Sequence, residues 1–199
     1  MLSAIVPAAG MSTRLGRNKL LLPFKGQPLI AHAVDILMAS EVEEIIVVLG
    51  HEADQVRAAI GNKGVRFVEN PDYRLGLSTS VRAGFAAVPV QTIGIMIYLA
   101  DQPLLEASEV DFLIRAFTEA GKANKSIVVP FFRGQRGNPV IVKATYKASL
   151  LAITGDTGCR RVIKQNPEQV LTVEMETDHV VRDIDTIEAY AGLVGEASE

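Results

Sequence analysis

Directly after a short apolar stretch, residues 10–19 read GMSTRLGRNK, which sets Gly10 and Gly16 among Arg14, Arg17 and Lys19. Glycine amides in a tight loop can form an anion-binding concavity. A forked guanidinium beside a compact ammonium suits a polyphosphate. The competing reading is a solvated loop whose charges only keep it soluble. The loop is not a Walker A motif, since five residues separate Gly10 from Gly16 and no Lys-Ser/Thr pair follows. Nor does it contain GxGxxG, the dinucleotide fingerprint.

Two acidic positions stand out. Asp101 follows Tyr98, Leu99 and Ala100, and a carboxylate at the end of a buried strand is costly unless something pairs with it. A Mg²⁺ ion shared with phosphate oxygens would satisfy it. So would a turn in which Asp101 accepts backbone amides and Pro103 opens the next helix. In VVRDIDTIEAY, an extended 180–185 would point Asp183 and Asp185 to one face, where a cation is expected. Asp185 with Glu188 also fits a helix capping box, and both readings stand.

These residues need a frame. SAIVP (3–7), EEIIVVLG (43–50), VRFVE (65–69), IGIMIYLAD (93–101) and SIVVPFF (126–132) read as strands. Helical spacing of apolar residues marks 28–40, 52–61, 78–88 and 106–121 between them. Runs such as EIIVVL imply burial on both faces, so the expected class is a three-layer α/β domain with a mostly parallel sheet. After Phe132, RGQRGNPVIV reads as a glycine-rich turn feeding a strand that runs back along the sheet. KATYKASLLAI and TGCRRVIKQN read as helices, QVLTVEM and HVVRDI as a β-pair, and TIEAYAGLV as a closing helix. The expectation is one domain over 1–199, with a small C-terminal lobe at roughly 133–180. In such sheets ligands bind beyond the carboxyl ends of the strands, where both the basic loop and Asp101 fall.

Composition narrows the classes. A chain of 199 residues, 48% hydrophobic and 22% charged, can bury one sizeable core. A net charge of −3 without a basic block argues against a nucleic-acid binder. Cys159 is the sole cysteine, which excludes an internal disulfide or a cysteine zinc cluster. Gly10 breaks the opening apolar stretch too early for a signal or membrane segment, so a cytoplasmic protein is expected. His32, His51 and His179 are scattered and carry no metal expectation. Cys159 has no histidine motif near it and is read as a packed or surface thiol.

Taken together, PAAGMSTRLGRNKLLLPFKG, NPDYRLGLSTSVRAG, LADQP, GQRGNPV, GDTGCRRV and DIDTIEAY resemble the MobA-like nucleotidyltransferases, in order and over almost the whole chain. Within that family, the PAAG loop is most similar to the branch that joins CMP to molybdopterin. The resemblance implies a Rossmann-like nucleotidyltransferase fold, a nucleoside triphosphate with CTP favoured, Mg²⁺ as cofactor, and pyrophosphate as by-product. It places Ala8, Ala9 and Gly10 along the base and α-phosphate, and Arg14 and Lys19 on the triphosphate. Asn70, Gly76, Leu77 and Ser78 complete the nucleotide pocket. Asp101 matches the Mg²⁺ ligand, and Asp185 with Asp183 matches the second acidic position. The catalytic set it implies is Arg14, Lys19 and Asp101.

For the acceptor, the resemblance points to Arg136, Gly137, Asn138 and Pro139, and to Arg160 from GDTGCRR. Relatives often carry histidine where this chain has Asn138, and proline where it has Ile187. Molybdenum cofactor is the implied partner, with a molybdenum hydroxylase as downstream recipient. The same site would also suit guanylyl transfer to that cofactor or nucleotidyl transfer to a sugar or polyol phosphate. A nucleotide-binding cofactor chaperone is the non-catalytic alternative, and a nicotinamide oxidoreductase is disfavoured by the missing fingerprint.

Overall fold

Seven alternating residues set the first strand, β1 (Leu2–Ala8): Ala4, Val6 and Ala8 face one side of the sheet and Ile5 the other, all fully buried. The computed structural model describes residues 1–152 and 159–196. After β1 come two single 3-10 turns, Thr13–Leu15 and Lys19–Leu21, and a small ribbon of β2 (Pro23–Phe24) and β3 (Gln27–Pro28). The chain continues through α1 (Leu29–Met38), β4 (Glu44–Leu49), α2 (Ala53–Ile60), β5 (Arg66–Glu69), α3 (Leu77–Ala87), β6 (Gly94–Ile97) and α4 (Ala107–Lys122). Then follow β7 (Ile127–Phe132), β8 (Gln135–Arg136), β9 (Val140–Lys143), α5 (Lys147–Leu151), α6 (Arg160–Gln165), β10 (Val170–Glu174) and α7 (Ile187–Glu196).

The main sheet runs β10-β7-β9-β6-β1-β4-β5, with β8 paired to β7. Its β6-β1-β4-β5 half is parallel, as is the β7/β10 pair. The strand after the glycine-rich turn, β9, does run back, antiparallel to both β6 and β7. Helices cover both faces. On one face Val34 and Leu37 of α1, Val56 of α2 and Val110 and Leu113 of α4 pack against Val6, Val47 and Met96. On the other, Val81 and Phe85 of α3, Leu150 of α5 and Val162 of α6 pack against Ile5, Ile46 and Ile95. The result is the expected three-layer α/β nucleotidyltransferase fold.

One expected element is absent. HVVRDI forms no strand: residues 179–181 make a 3-10 turn and 182–185 run without ladder partners. Its backbone groups are taken up by two other segments instead, the turn after β6 and the β8–β9 connection. Val180 O accepts from Asn138 N and from Gln102 Nε2 (2.9 Å each), and Ile184 N donates to Asp101 O (2.9 Å). The segment therefore works as a strap across the ends of β6 and β9. A third apolar cluster, Leu15, Leu22, Phe24, Leu29, Ile184 and Leu193, ties the basic loop to the strap and to α7. Among the described residues, no helix is long and apolar enough to cross a membrane.

Candidate active site

Beyond the carboxyl ends of β6 and β1, and bounded on another side by the loop after β5, lies a cavity of about 470 Å³. Ala9, Gly10 and Lys19 line it from the first loop, Tyr73, Gly76 and Leu77 from the loop after β5, and Asp101 from the turn after β6. The two loops are shaped locally. Ser12 has a left-handed backbone (φ 49°) and its Oγ accepts from Lys19 N at 3.1 Å. Asn18 Oδ1 accepts from Leu20 N at 3.1 Å and so caps the turn that carries Lys19. Gly16 uses glycine's freedom at φ 67°; Gly10 does not. Gly10 is exposed, and a Cβ there would meet nothing within 4 Å, so its contribution is an uncovered backbone beside the cavity.

Lys19 is the centre of the charged end. Its Nζ donates to Asp101 Oδ2 (2.5 Å), to Asp185 Oδ1 (2.9 Å) and to Ile184 O (3.0 Å). The Lys19 and Asp101 side chains are only 18% and 15% exposed, whereas Asp185 is 48% exposed. Burial acts to lower the Lys19 pKa, but Asp101 and then Asp185 outweigh it and hold the ammonium above its ordinary range. Asp183 lies on the same strap. Partial burial, then the charges of Asp185 and Asp101, raise its carboxyl above the usual range. Three carboxylates therefore share one field, and one ammonium bridges two of them.

Asp185 is also released from the competing role. Helix α7 is capped by Thr186, whose Oγ1 accepts from Ala189 N at 3.1 Å. Asp185 is thus left to face Lys19. Its position next to Asp101 comes from the strap's hydrogen bonds, not from strand alternation.

The remaining expected nucleotide residues divide in two. Ala9, Gly10, Gly76 and Leu77 line the cavity. Ala8 is fully buried in β1, and Ser78 is buried at the start of α3. Asn70 is buried and occupied by its own loop: its Nδ2 donates to Thr79 Oγ1 (2.9 Å) and Ser80 Oγ (3.0 Å), and its Oδ1 accepts from Asp72 N (3.0 Å). It fastens the loop that carries Tyr73 and Gly76. Arg14 lies on the Thr13–Leu15 turn, and its side chain is outside the described residues.

Of the residues expected to meet an acceptor, Gly137 and Asn138 connect β8 to β9 and are fastened through Gly137 N to Pro130 O (2.8 Å) and Asn138 N to Val180 O. A Cβ on Gly137 would stand 2.5 Å from Val180 O, so this glycine is required by close approach. Pro139 is buried behind a cis Asn138–Pro139 peptide. Arg136 is brought near Arg160 at the start of α6; burial, then the Arg160 charge, lower the Arg136 pKa. Cys159 is buried and its thiol is pushed up to about 12, first by burial, with Arg136 opposing. That is an unreactive, packed thiol. Gly155, Asp156, Thr157 and Gly158 of GDTGCRR lie outside the described residues.

The other histidines serve structure. His32 Nε2 contacts Pro103 O (3.0 Å), and His179 Nδ1 contacts Glu109 Oε2 (2.9 Å). Sequence reasoning passed over Ser12, Tyr73 and Ser80 as site residues. A serine inside a glycine-and-charge loop was a usable signal; an aromatic within a polar loop gave none.

A mostly parallel sheet with a cavity at its carboxyl edge, charged at one end and flanked by the uncovered backbone of Gly10, is the arrangement of a nucleotide-handling α/β enzyme. The comparisons agree. The MobA-like NTP transferase domain matches residues 4–170, and the chain belongs to that family. It is 30% identical over 197 residues to nicotine blue oxidoreductase of Paenarthrobacter nicotinovorans, covering 96% of each chain. It is 26% identical over 186 residues to molybdenum cofactor cytidylyltransferase of Escherichia coli, covering 93% of this chain and 91% of that one. Among solved structures, an Rv0371c homologue from Mycobacterium sp. strain JC1 superposes with a TM-score of 0.86 at 30% identity, over 99% of this chain and 96% of that one.

Proposed function

We propose that this nucleotidyltransferase-family enzyme transfers CMP from CTP to molybdenum-bound molybdopterin and releases pyrophosphate. The observation that carries the reading is Lys19, held by Asp101 and Asp185 at the charged end of the cavity. The choice of cytidylyl transfer rests on the PAAG loop and on the cytidylyltransferase relative. A phosphate oxygen of the acceptor attacks the α-phosphorus in line, the bond to the β-bridging oxygen breaks, and pyrophosphate carries that electron pair away. The attacking phosphate is already ionised, so no residue need act as a base.

Catalysis then reduces to positioning and charge neutralisation. Gly10 offers its backbone beside the phosphates, and Lys19 exchanges its carboxylate partners for the departing charge. Arg14 adds a second cation on the triphosphate. Arg136 and Arg160 hold the acceptor's phosphate, while Asn138 offers a neutral amide that both donates and accepts.

The residues fit Mg²⁺. Asp101 Oδ1 is buried without a partner, and the Asp101 and Asp185 carboxylates already converge on one cation. Among the described residues no three His, Cys, Asp or Glu side chains form a ready-made metal group. Mg²⁺ needs none, being commonly held by one or two carboxylates with substrate phosphates. Asp101 and Asp185 would hold it, with Asp183 beside them, and it would supply positive charge at the phosphate oxygens.

The likeness to nicotine blue oxidoreductase favours a second reading, an oxidoreductase acting in the same cavity, for which a nicotinamide cofactor is the first to test. One experiment separates them: each NTP with Mg²⁺ and molybdenum cofactor, read by pyrophosphate release, beside an NADH titration. Pyrophosphate formed with CTP in preference to GTP supports cytidylyl transfer, and a reversed preference moves the reading to guanylyl transfer. NADH binding with no pyrophosphate from any NTP overturns nucleotidyl transfer.

A further inference from the structure

The cavity is lined from the turn after β6, from the end of β1 and the first loop, and from the loop after β5, and only its Lys19 and Asp101 end is accounted for by phosphate chemistry. A separate stretch of its lining comes from the loop after β5. There the wall is Tyr73, half-buried on the 3-10 turn Tyr73–Leu75. The His51 ring lies 6.1 Å from the Tyr73 ring, centroid to centroid, and the Arg74 guanidinium 5.6 Å from its centroid.

Gly50 explains how the ring comes to stand there. It closes β4 and directly underlies the wall: a Cβ at this position would lie 2.6 Å from Ala9 Cβ and 2.7 and 2.9 Å from Tyr73 Cβ and Cγ. Real side-chain atoms do not approach so closely, and Gly50 has no positive φ to require glycine. Its lack of a side chain is therefore a matter of space. It lets Ala9 and Tyr73, which both line the cavity, close over the end of β4.

We infer that Tyr73 is the stacking wall of the nucleobase subsite, and that Gly50 is the positioning residue that seats it. The inference rests on the nucleotide reading above and extends it to the part of the cavity lined by the loop after β5. An aromatic face accepts any base, so Tyr73 contributes affinity, and the choice among bases falls to the polar groups around it. Base-on-aromatic stacking of this kind carries about tenfold to a hundredfold in affinity.

The test is calorimetric binding, with Mg²⁺, of CTP and of inorganic tripolyphosphate to wild type, Tyr73→Phe, Tyr73→Ala and Gly50→Ala. Tyr73→Ala and Gly50→Ala should lose about tenfold to a hundredfold for CTP and keep wild-type affinity for tripolyphosphate. Tyr73→Phe should keep both. The chain has no tryptophan, so quenching of tyrosine fluorescence by CTP, lost in Tyr73→Phe, gives a second readout. Unchanged CTP affinity in Tyr73→Ala overturns the inference, as does parallel loss of tripolyphosphate, which would make the residue merely structural. Wild type that binds tripolyphosphate but no NTP overturns the nucleotide reading itself, and the inference falls with it.

Discussion

Replacing Lys19 by methionine keeps the aliphatic stem and removes the charge that Asp101 and Asp185 share. Asp101 is then left 15% exposed with neither oxygen paired to Lys19, and its Oδ1 has no partner to begin with. Removing one member of a buried ion pair costs about 3–5 kcal/mol, and the residual exposure places this case near 3. Asp185, half exposed, adds little. For a chain of this size about 3 kcal/mol lowers Tm by roughly 6–12 °C.

The pH dependence has a definite sign. The folded-state pKa of Lys19 is raised above 10.5, so its contribution is fully present below that value and fades as pH climbs through the folded value. The Tm gap between Lys19→Met and wild type should therefore be largest near neutrality and close at strongly alkaline pH. It should also narrow in acid, where protonation of the carboxylates ends their repulsion. Calorimetric scans of both proteins across pH measure it directly. A gap that is absent, or that stays constant over the whole range, would refute the assignment of Lys19 as the counter-charge. Turnover should fall on the order of 10²-fold, with a smaller effect on nucleotide affinity.

Asp185→Asn should leave Tm nearly unchanged, because Thr186 caps α7, and should lower activity while raising the Mg²⁺ needed; a large Tm loss would return Asp185 to a capping role. Gly137→Ala forces a methyl against Val180 O and should cost about 1–3 kcal/mol in chemical denaturation while raising the Michaelis constant for the acceptor. Arg160→Ala should raise that constant and spare the one for nucleotide; steady-state kinetics with each substrate varied would show the division of the cavity to be wrong if the nucleotide constant rises instead.

The layers were legible because buried parallel strands leave continuous apolar runs, as in EIIVVL, and α4 because its apolar residues keep helical spacing. HVVRDI misled for a physical reason. Its β-branched residues Val180, Val181 and Ile184 favour a strand, but its backbone partners come from the β6 turn and the β8–β9 connection, which local pattern cannot reveal. The chemical types of the site were legible at Lys19, Asp101 and Asp185. Their mutual contact was not, since 82 and 166 residues separate Lys19 from its two acids. Gly50 was hidden for the same reason: only the fold brings Ala9 and Tyr73 over it.

Val180 offers one carbonyl oxygen to both Asn138 N and Gln102 Nε2, which saturates its two lone pairs. The β8–β9 connection and the turn bearing Asp101 thus share a single main-chain atom as a common fastening point, which couples their positions. Asn138 enters this joint through its backbone and Val180 through its carbonyl, whereas residue 102 must keep its side-chain amide. Mutation can therefore change the side chain of residue 138 while the relative placement of the two halves persists, with Gly137, pressed against the oxygen, denied a side chain and Val180 fixed by its burial. A scaffold wired in this way is suited to acquiring new substrates by drift, because novelty at the rim does not first have to rebuild the joint beneath it.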